Sequence, residues 1–238
     1  MGLGDLHCHT TASDGMASPA ALVRAAVAAG LDLIVVSDHD TMAGVEEAQA
    51  RGEDAGLAVV AGQEVTTRWP AQTHVLGWFL EHPVRSGRSL EETVDAIHDQ
   101  GALAVIPHPF MPTYFASCQP GMLRRLIEER TVDGVELIPS APITGGRRRA
   151  LEAFYSQHRD RLGAAVGGSD SHFGRHDIGH VVTEFDGFSA EALRLGVIGR
   201  TTAPRRGRPA EIPGGLALRQ QWKSLVLLPL ARVRGQLE

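Results

Sequence analysis

Apolar runs of five to seven residues recur along the chain between segments with a helical pattern. The run at residues 31–36 is rich in β-branched side chains and is bounded by glycine and polar residues, which is typical of a buried parallel strand. A first strand is predicted at the N-terminus, ending near His9. The other predicted strands are residues 57–61, 74–78, 102–106, 132–138, 164–168 and 181–185.

Helices are predicted between these strands, and two of them carry clear start signals. Ser18 followed by Pro19 is typical of an N-cap and first turn, and Ser89 with Glu92 three residues later matches a capping box. The predicted helices are residues 18–30, 43–55, 89–100, 122–130, 146–161 and 189–195. About seven strand–helix units of this kind indicate a parallel α/β barrel.

Two histidines lie at the end of the first predicted strand. His7 and His9 are two residues apart, so on a strand they face the same side, roughly 6.5–7 Å apart. Two imidazoles placed in this way can bind one metal ion, although a chance pair on a half-buried face is the alternative. Cys8 alternates with them and is therefore expected to face away as a small core residue.

Other residue types that bind metals occur where further predicted strands end. The C-terminal ends of the strands carry the chemistry in barrel enzymes, so this placement favours one shared site over a chance distribution. The residues are Asp38 with His39, Glu64, His108, and Asp170 with His172.

Composition and charge narrow the possible partners. No apolar stretch approaches the ~18 residues of a membrane span, nothing resembles a signal peptide, and Cys8 and Cys118 provide no disulfide framework. A cytoplasmic location is expected, and a membrane partner is not. Residues 1–202 carry a net charge of −10, whereas residues 203–238 carry +5. So acidic a body argues against an extended nucleic-acid surface.

Six short motifs, taken in order, resemble those of the PHP (polymerase and histidinol phosphatase) family. They are residues 5–10, 13–15, 37–40, 62–64, 107–109 and 168–172. The resemblance implies an α/β fold, a distorted (β/α)7 barrel with a metal site at the C-terminal ends of the strands. It also implies a phosphoesterase that depends on two or three divalent metal ions.

The resemblance further implies how the ligands are shared among the ions. His7, His9, Glu64 and Asp170 would hold the first ion, and Glu64 would bridge to a second ion held by His74 and His108. Asp14, His39 and His172 would hold a third. Imidazole and carboxylate ligands suit Mn, Zn or Fe(II). Ions that share Glu64 would lie ~3.5–4 Å apart, and a hydroxide between them would be the nucleophile.

Several polar residues near these motifs have two interpretations. Asp38 and Asp40 flank His39, and one of them would orient its imidazole. A role as a helix N-cap is the alternative for Asp40. Asp5 is expected to make a buried structural hydrogen bond. Glu136 ends a strand and is either a ligand or structural.

Basic residues that could contact the substrate follow two of the predicted strands. Arg175, His176 and His180 come after the last ligand motif, and their loop either reaches the substrate or lies on the surface. His176 or His180 would protonate the leaving group in the first case. Three arginines at residues 147–149 are expected to form a solvated basic face, with phosphate binding as the alternative.

The C-terminal part of the chain departs from the family pattern. The predicted division is a catalytic barrel at residues 1–202 and a basic Pro/Arg-rich linker and strap at residues 203–238, with residues 201–215 irregular. The apolar run at residues 225–230 is expected to pack against the barrel. A dimer contact or a membrane-surface segment is the alternative, and Pro229 argues against one straight helix.

The sequence thus predicts an enzyme that hydrolyses a small phosphomonoester, such as a nucleotide or sugar phosphate. Only 34 residues separate His74 from His108, so an insertion that shapes the substrate pocket of some relatives is missing. The alternatives are an exonuclease on short oligonucleotides and a non-catalytic metal-binding module. Oligomeric state is not predicted.

Overall fold

A computed structural model describes residues 1–112 and 116–233, the last three as backbone only. Its described residues form one nine-stranded sheet surrounded by helices. The strands are β1 (Gly2–Cys8), β2 (Leu33–Val36), β3 (Ala58–Thr66), β4 (His74–Trp78), β5 (Leu103–Ile106), β6 (Gly134–Glu136), β7 (Ala164–Val166), β8 (Val181–Phe185) and β9 (Ala203–Arg206).

The helices alternate with the strands as the sequence predicts. Ser18 caps the first helix, and Ser89 and Glu92 form the predicted capping box at the start of the third. The helices are α1 (Pro19–Ala28), α2 (Val45–Ala55), α3 (Leu90–His98), α4 (Pro120–Glu129), α5 (Gly145–Leu162), α6 (Ala190–Ile198), α7 (Gly214–Trp222) and α8 (Leu228–Val233). A π-helical segment, Lys223–Leu227, joins the last two.

The sheet curls into a nearly closed barrel of mixed strand direction. Its order is β7-β6-β5-β4-β3-β2-β1-β8-β9, and β4 and β8 run antiparallel to their neighbours. The two edges approach each other, and Thr202 Oγ1 donates to Ala165 O at 2.7 Å. The barrel prediction is confirmed, but the fully parallel arrangement of about seven units is not. The seven residues between β3 and β4 are too few for the crossover that a parallel pair requires.

Burial separates the interior of the barrel from its outer layer. Leu33, Trp78 and Val105 belong to an apolar cluster contributed by strands all around the sheet, with α6 packed against it. Cys8 and Leu22 belong to another cluster between the sheet and α1 and α2, as the alternation with the histidines predicts for Cys8. The core therefore leaves the C-terminal edge of the parallel strands to polar residues.

The C-terminal part is more regular than the sequence indicates. β9 lies within the predicted irregular segment and pairs with β8, and Arg205 Nε donates to Glu184 Oε1 at 2.6 Å across this pair. The helical path from Gly214 to Val233 passes through Pro229, because the π-helical turn before it loosens the hydrogen-bond pattern. Residues 234–238 of the predicted strap lie outside the described residues.

The apolar run of this tail is only partly covered. Leu228 is buried, whereas Leu225 is 75% exposed and Leu227 and Leu230 are about half exposed. Within the described part of the chain, no helix is both long and apolar enough to cross a bilayer. The division at residue 202 stays a prediction, and β9 shows that the barrel sheet continues beyond it.

Candidate metal centre

The predicted ligands meet at one edge of the barrel. His7 lies at the end of β1, Glu64 near the end of β3, and Asp170 follows β7. His74 begins β4, and because β4 is antiparallel to β3, its first residue pairs with Thr66 at the same edge. All nine predicted ligands lie in this cluster, which comprises His7, His9, Asp14, His39, Glu64, His74, His108, Asp170 and His172.

Glu64 lies at the centre of the cluster and is fully buried. Its Oε2 atom is 3.3 Å from His7 Nε2, 3.3 Å from His9 Nε2 and 3.1 Å from His39 Nδ1. These three nitrogens converge on one oxygen from the C-terminal end of β1 and from the loop after β2.

The other oxygen of Glu64 faces a second group of imidazoles, which has two members. Oε1 is 2.7 Å from His74 Nδ1 and 2.9 Å from His108 Nε2. The carboxylate thus divides its two oxygens between two groups of histidines, as a bridging ligand does. The family resemblance implies such a position for Glu64, and the bridging of two ions by this residue stays a prediction.

Two aspartates complete the cluster on its other sides. Asp170 Oδ1 lies 3.4 Å from His7 Nε2 and 3.2 Å from His9 Nε2. Asp14 Oδ1 lies 3.1 Å from His172 Nε2 and 3.8 Å from His39 Nε2.

Several buried atoms of this cluster lack the hydrogen bonds that buried polar atoms normally make. Among the described residues, no hydrogen-bond partner is present for His7 Nε2, both ring nitrogens of His9, Asp14 Oδ1, His39 Nδ1 and Glu64 Oε2. Cations at the centre of the cluster would satisfy these inward-facing nitrogen and oxygen atoms. The donor set therefore fits transition-metal ions, for which imidazole and carboxylate are suitable ligands.

Three groups of atoms are close enough to hold an ion each. Their members are His7, His9, Glu64 and Asp170; His9, Asp14, His39 and His172; and His39, Glu64 and His74. The first group is the set predicted for the first ion. The second group contains the three residues predicted for the third ion and His9 in addition. The third contains His39 where the sequence predicts His108, because His39 lies between Glu64 and Asp14 and can face either side. Metal binding itself stays a prediction.

Glu136 orients two of these histidines, a role that the sequence left open. Its Oε1 accepts a hydrogen bond from His7 Nδ1 at 3.0 Å, and its Oε2 accepts one from the backbone N–H of His108 at 2.7 Å. With the proton on Nδ1, His7 presents the lone pair of Nε2 to the cluster. A carboxylate behind a metal-binding histidine commonly has this effect.

Replacing Glu136 with glutamine is expected to weaken metal binding by about 10–100-fold, the usual effect of losing such a partner. A glutamine offers one acceptor oxygen, so its NH₂ group would face the N–H of either His7 or His108. Titration of the metal-free protein with Mn²⁺ measures the affinity, and Glu53→Gln on the exposed face of α2 is the matched control. Equal affinities for the two variants would contradict the orienting role.

The carboxylates control which histidines hold a proton. Burial lowers the pKa of His172, but Asp14 and Asp170 outweigh this effect and raise it to about 10. For His39 burial dominates, and its pKa lies well below the usual value despite Glu64 and Asp14. At neutral pH, His172 in the metal-free protein therefore carries a proton that a metal ion must displace, whereas His39 does not.

Other buried carboxylates hold the loops of the site in place. Asp38 accepts hydrogen bonds from the backbone N–H and hydroxyl groups of both Thr10 and Ser13, so it fixes the loop that leads to Asp14. Asp40 accepts from Thr66 N at 2.7 Å, and α2 begins only after Gly44. The alternative in which Asp40 caps a helix is therefore wrong.

Asp5 and Asp177 hold the segment after β7. Asp5 accepts from Ser169 N and Gly179 N, each at 2.8 Å, which is the predicted structural role. Asp177 accepts from the Ser171 hydroxyl and from the backbone N–H groups of His172 and Phe173.

The backbone is strained at two of the candidate ligands. His108 has φ = 31° and Asp170 has φ = 52°, in the left-handed region that residues with a Cβ rarely adopt. Such conformations concentrate at functional sites. Nearby, Gly168 packs against His7, and a Cβ on this glycine would lie 2.4 Å from His7 Cβ. Glycine at this position lets the loop after β7 approach β1.

The cluster forms the floor of a cavity of ≈ 530 Å³. Met111, Pro142, Phe173 and Ile212 give the cavity apolar walls, and Gln220 and Ser224 of the C-terminal helical segment line it as well. Among the described residues, no arginine or lysine side chain belongs to this lining. Imidazoles, carboxylates and any bound ions therefore determine the electrostatics of the cavity.

The three candidates for substrate contacts separate in the structure. His180 lines the main cavity, whereas Arg175 and His176 lie on a short 3₁₀ helix (Gly174–His176) and line a different hollow beside α1. His180 Nδ1 donates to Arg208 O, and its Nε2 accepts from Arg206. In this arrangement both ring nitrogens are occupied, so proton donation by His180 would require the contact with Arg206 to break.

One of the three arginines at residues 147–149, at the start of α5, has a structural role. Arg147 Nη1 donates to the backbone oxygens of Phe110 and Met111, and so holds the loop after β5. Arg148 and Arg149 lie on the exposed part of α5, as predicted.

The fold and the cluster define a barrel-fold hydrolase with a group of His, Asp and Glu side chains that could bind metal ions. The PHP domain profile matches residues 5–195, and the chain belongs to this family. Among solved structures, a two-domain protein of Bacteroides vulgatus, described as containing a predicted PHP-like metal-dependent phosphoesterase, superposes with a TM-score of 0.71 at 19% identity. That superposition covers 93% of this chain and 69% of the other.

Two curated relatives differ in what their names say they hydrolyse. A 5'-3' exoribonuclease of Haemophilus influenzae is 34% identical over 42% of this chain, and this match spans only 37% of the relative's length. A 3',5'-nucleoside bisphosphate phosphatase of Chromobacterium violaceum is 27% identical, covering 76% of this chain and 70% of the relative. Both names concern phosphate esters of nucleosides.

Proposed function

We propose that this protein is a metal-dependent phosphoesterase that hydrolyses a small phosphomonoester, such as a nucleotide or a sugar phosphate. The observation that carries the proposal is the set of buried nitrogen and oxygen atoms without hydrogen-bond partners among the described residues, at and just below the floor of the cavity. These atoms fit two or three ions of Mn, Zn or Fe(II). Bound there, such ions would lower the pKa of a water molecule to about 7 and supply the nucleophile.

The residues of the chain prepare this chemistry in three ways. Glu64 divides its oxygens between two groups of histidines and so fixes the spacing of the two groups. Glu136 holds His7 in the tautomer that exposes Nε2. The barrel core shields the inner side of the cluster from bulk water, because His7, His9 and Asp14 are all fully buried.

Bound metal ions would make the charge of the site favourable for a phosphorylated substrate. The cluster contains the three carboxylates of Asp14, Glu64 and Asp170, which alone would repel a phosphate group. Two or three divalent ions would reverse this charge. The described lining contains no arginine or lysine side chain, so the ions would supply most of the positive charge that binds the phosphoryl oxygens.

The size of the cavity favours a small substrate. Its ≈ 530 Å³ lies within the range of about 300–1,000 Å³ typical of small-molecule pockets. The apolar wall formed by Met111, Pro142, Phe173 and Ile212 suits a base or another apolar group next to the phosphate. The loop after β9 and the C-terminal helical segment close one side, which limits the space for flanking nucleotides.

An exonuclease acting on short oligonucleotides is the second candidate. The observation in its favour is the basic rim beside His180, where Arg206 contacts this histidine and the Arg208 guanidinium contacts the backbone of Arg175. Both arginine side chains are exposed, so they could contact the phosphate of a neighbouring nucleotide. A non-catalytic metal-binding module is the third candidate, and the complete ligand set argues against it.

One assay separates these three candidates. The metal-free protein is incubated with an aryl phosphate, a mononucleotide and a 5'-phosphorylated dinucleotide, each with and without Mn²⁺ or Zn²⁺. We expect metal-dependent release of phosphate from the two monoesters and no cleavage between nucleotides. Cleavage of the dinucleotide with little monoesterase activity would favour the exonuclease, and inactivity towards all substrates despite bound metal would favour the module.

Metal affinity is expected to rise with pH between pH 6 and pH 8. His172 has a pKa of about 10 in the metal-free protein, so it must lose its proton before it can bind an ion. Each proton displaced makes the apparent affinity about tenfold tighter per pH unit. Competition titrations with a chelator at pH 6, 7 and 8 measure this slope, and an affinity that does not change with pH would contradict the assignment of His172 as a ligand.

A further inference from the structure

The C-terminal helical segment reaches the metal cluster from outside the barrel. This segment comprises α7, the π-helical turn and α8, and it lies beyond residue 195, where the PHP match ends. Gln220 on α7 and Ser224 on the π-helical turn line the cavity together with His39, His74 and His172. The residues matched by the PHP family therefore do not include those that form this side of the cavity.

Gln220 contacts one of the candidate ligands directly. Its Nε2 donates to Asp14 Oδ2 at 3.1 Å. The other oxygen, Asp14 Oδ1, is buried without a hydrogen-bond partner among the described residues and points towards His172 Nε2 at 3.1 Å. The amide of Gln220 thus occupies the outer oxygen of the carboxylate and leaves the inner one for the cluster.

Lys223 fixes the loop that carries Asp14 on both sides of this residue. Its Nζ donates to Thr11 O at 3.3 Å and to Gly15 O at 3.0 Å. Lys223 lies three residues after Gln220, so the two side chains extend from the same side of the helix. From inside the barrel, Asp38 holds the same loop through Thr10 and Ser13. Asp14 is therefore held from the core by Asp38 and from outside by the helical segment.

We propose that the C-terminal helical segment is part of the metal centre, with Gln220 as a positioning residue that fixes Asp14 so that its Oδ1 faces the ion position formed by His9, His39 and His172. Lys223 supports this by immobilising the loop at residues 11–15. The proposal rests on the metal-dependent function proposed above. It assigns a role to a segment whose exposed residues would otherwise indicate only a surface helix.

The experiment compares Gln220→Met with Gln221→Met. Methionine has about the length of glutamine but no N–H group, and Gln221 is exposed on the same helix, so the second variant is a matched control. Full-length metal-free proteins are titrated with Mn²⁺, and free Mn²⁺ is followed by electron paramagnetic resonance. This measurement gives the number of ions bound and the dissociation constant of each without any assay of turnover.

We expect Gln220→Met to weaken one ion by about 10–100-fold and to leave the others at wild-type affinity. Lys223→Met should weaken the same ion, and Gln221→Met should match the wild type. The melting temperature of the metal-free protein should be the same for the wild type, Gln220→Met and Gln221→Met, because Gln220 is half-buried on the outermost helix rather than in the core.

Three results would overturn the proposal, and they are distinguishable. If the wild type binds ions and Gln220→Met binds them equally well, the positioning role is wrong while the proposed function remains. If Gln220→Met weakens all ions together and lowers melting, the residue is merely structural. If the wild type binds no ion under any condition, the metal centre of the proposed function fails, and the role of Gln220 with it.

Discussion

Replacing Glu64 with glutamine is expected to lower kcat/KM by at least about 10³-fold, because several kcal/mol of transition-state stabilisation depend on the ions and each 1.36 kcal/mol corresponds to a factor of ten. Glu64 contacts five imidazoles through its two oxygens, more than any other residue of the cluster. Glutamine has the same shape but is neutral, and its NH₂ group would face ring nitrogens on one side. Two ions that share this ligand would both lose affinity.

The effect of Glu64→Gln should be specific to metal binding and turnover. Glu128→Gln, on the exposed face of α4, is the control and should behave as the wild type. The substitution also removes the negative charge that the five surrounding imidazoles contact. Turnover and bound metal are measured on the same preparations, and a Glu64→Gln protein that retains two ions and wild-type turnover would contradict the bridging role.

The substitutions His9→Ala, His39→Ala and His108→Ala are each expected to abolish turnover and to leave the fold largely intact. His108 contacts Glu64 Oε1, whereas His9 and His39 share Glu64 Oε2 but face different aspartates, Asp170 and Asp14. The apolar core lies below all three. The substitutions of His9 and His39 should each lower the metal content more than that of His108, because each of these two histidines belongs to two of the three candidate ion groups.

The control for the histidine series is His82→Ala, since His82 is exposed. Circular dichroism and thermal melting verify the fold, and turnover is measured at saturating metal. Any of the three variants that keeps wild-type turnover under these conditions shows that its histidine is not a required ligand.

The sequence predicts the cluster because polar residues at strand ends are a strong signal in barrels. His7 and His9 follow the alternation of a strand, and Glu64, His108 and Asp170 each end a strand or follow one. His74 is harder, because it begins a strand instead of ending one. Only the antiparallel direction of β4 brings it to the same edge, and this direction depends on the short β3–β4 connection.

The sequence alone does not predict the hydrogen bonds that other residues make to the candidate ligands. Glu136 has the position of a strand-end carboxylate, yet its hydrogen bonds to His7 and His108 depend on how β6 and β5 lie relative to β1. The sequence singles out Glu136 as an acidic residue that ends a short apolar strand, but it leaves the choice between a ligand and a structural role open. Gln220 gives no such signal, since a glutamine on a helix is ordinary and 206 residues separate it from Asp14.

The C-terminal part shows where pattern and packing differ most. Pro and Arg residues at 204–208 predict an irregular linker, but the open edge of β8 accepts them as β9. An edge strand tolerates Pro204 because its backbone need not donate on the outer side. The helical segment after β9 then lies beside the cavity, which Gln220 and Ser224 line. The apolar run at residues 225–230 alone predicts only packing against the barrel.

The number of metal ions in an active preparation tests the central claim most directly. Protein purified without chelators and active on an aryl phosphate is analysed for bound elements, with the chain concentration measured on the same sample. Six histidines and three carboxylates in one buried cluster predict at least two transition-metal ions per chain, since one ion needs only about four to six ligands. One ion or fewer in a fully active preparation would contradict the account.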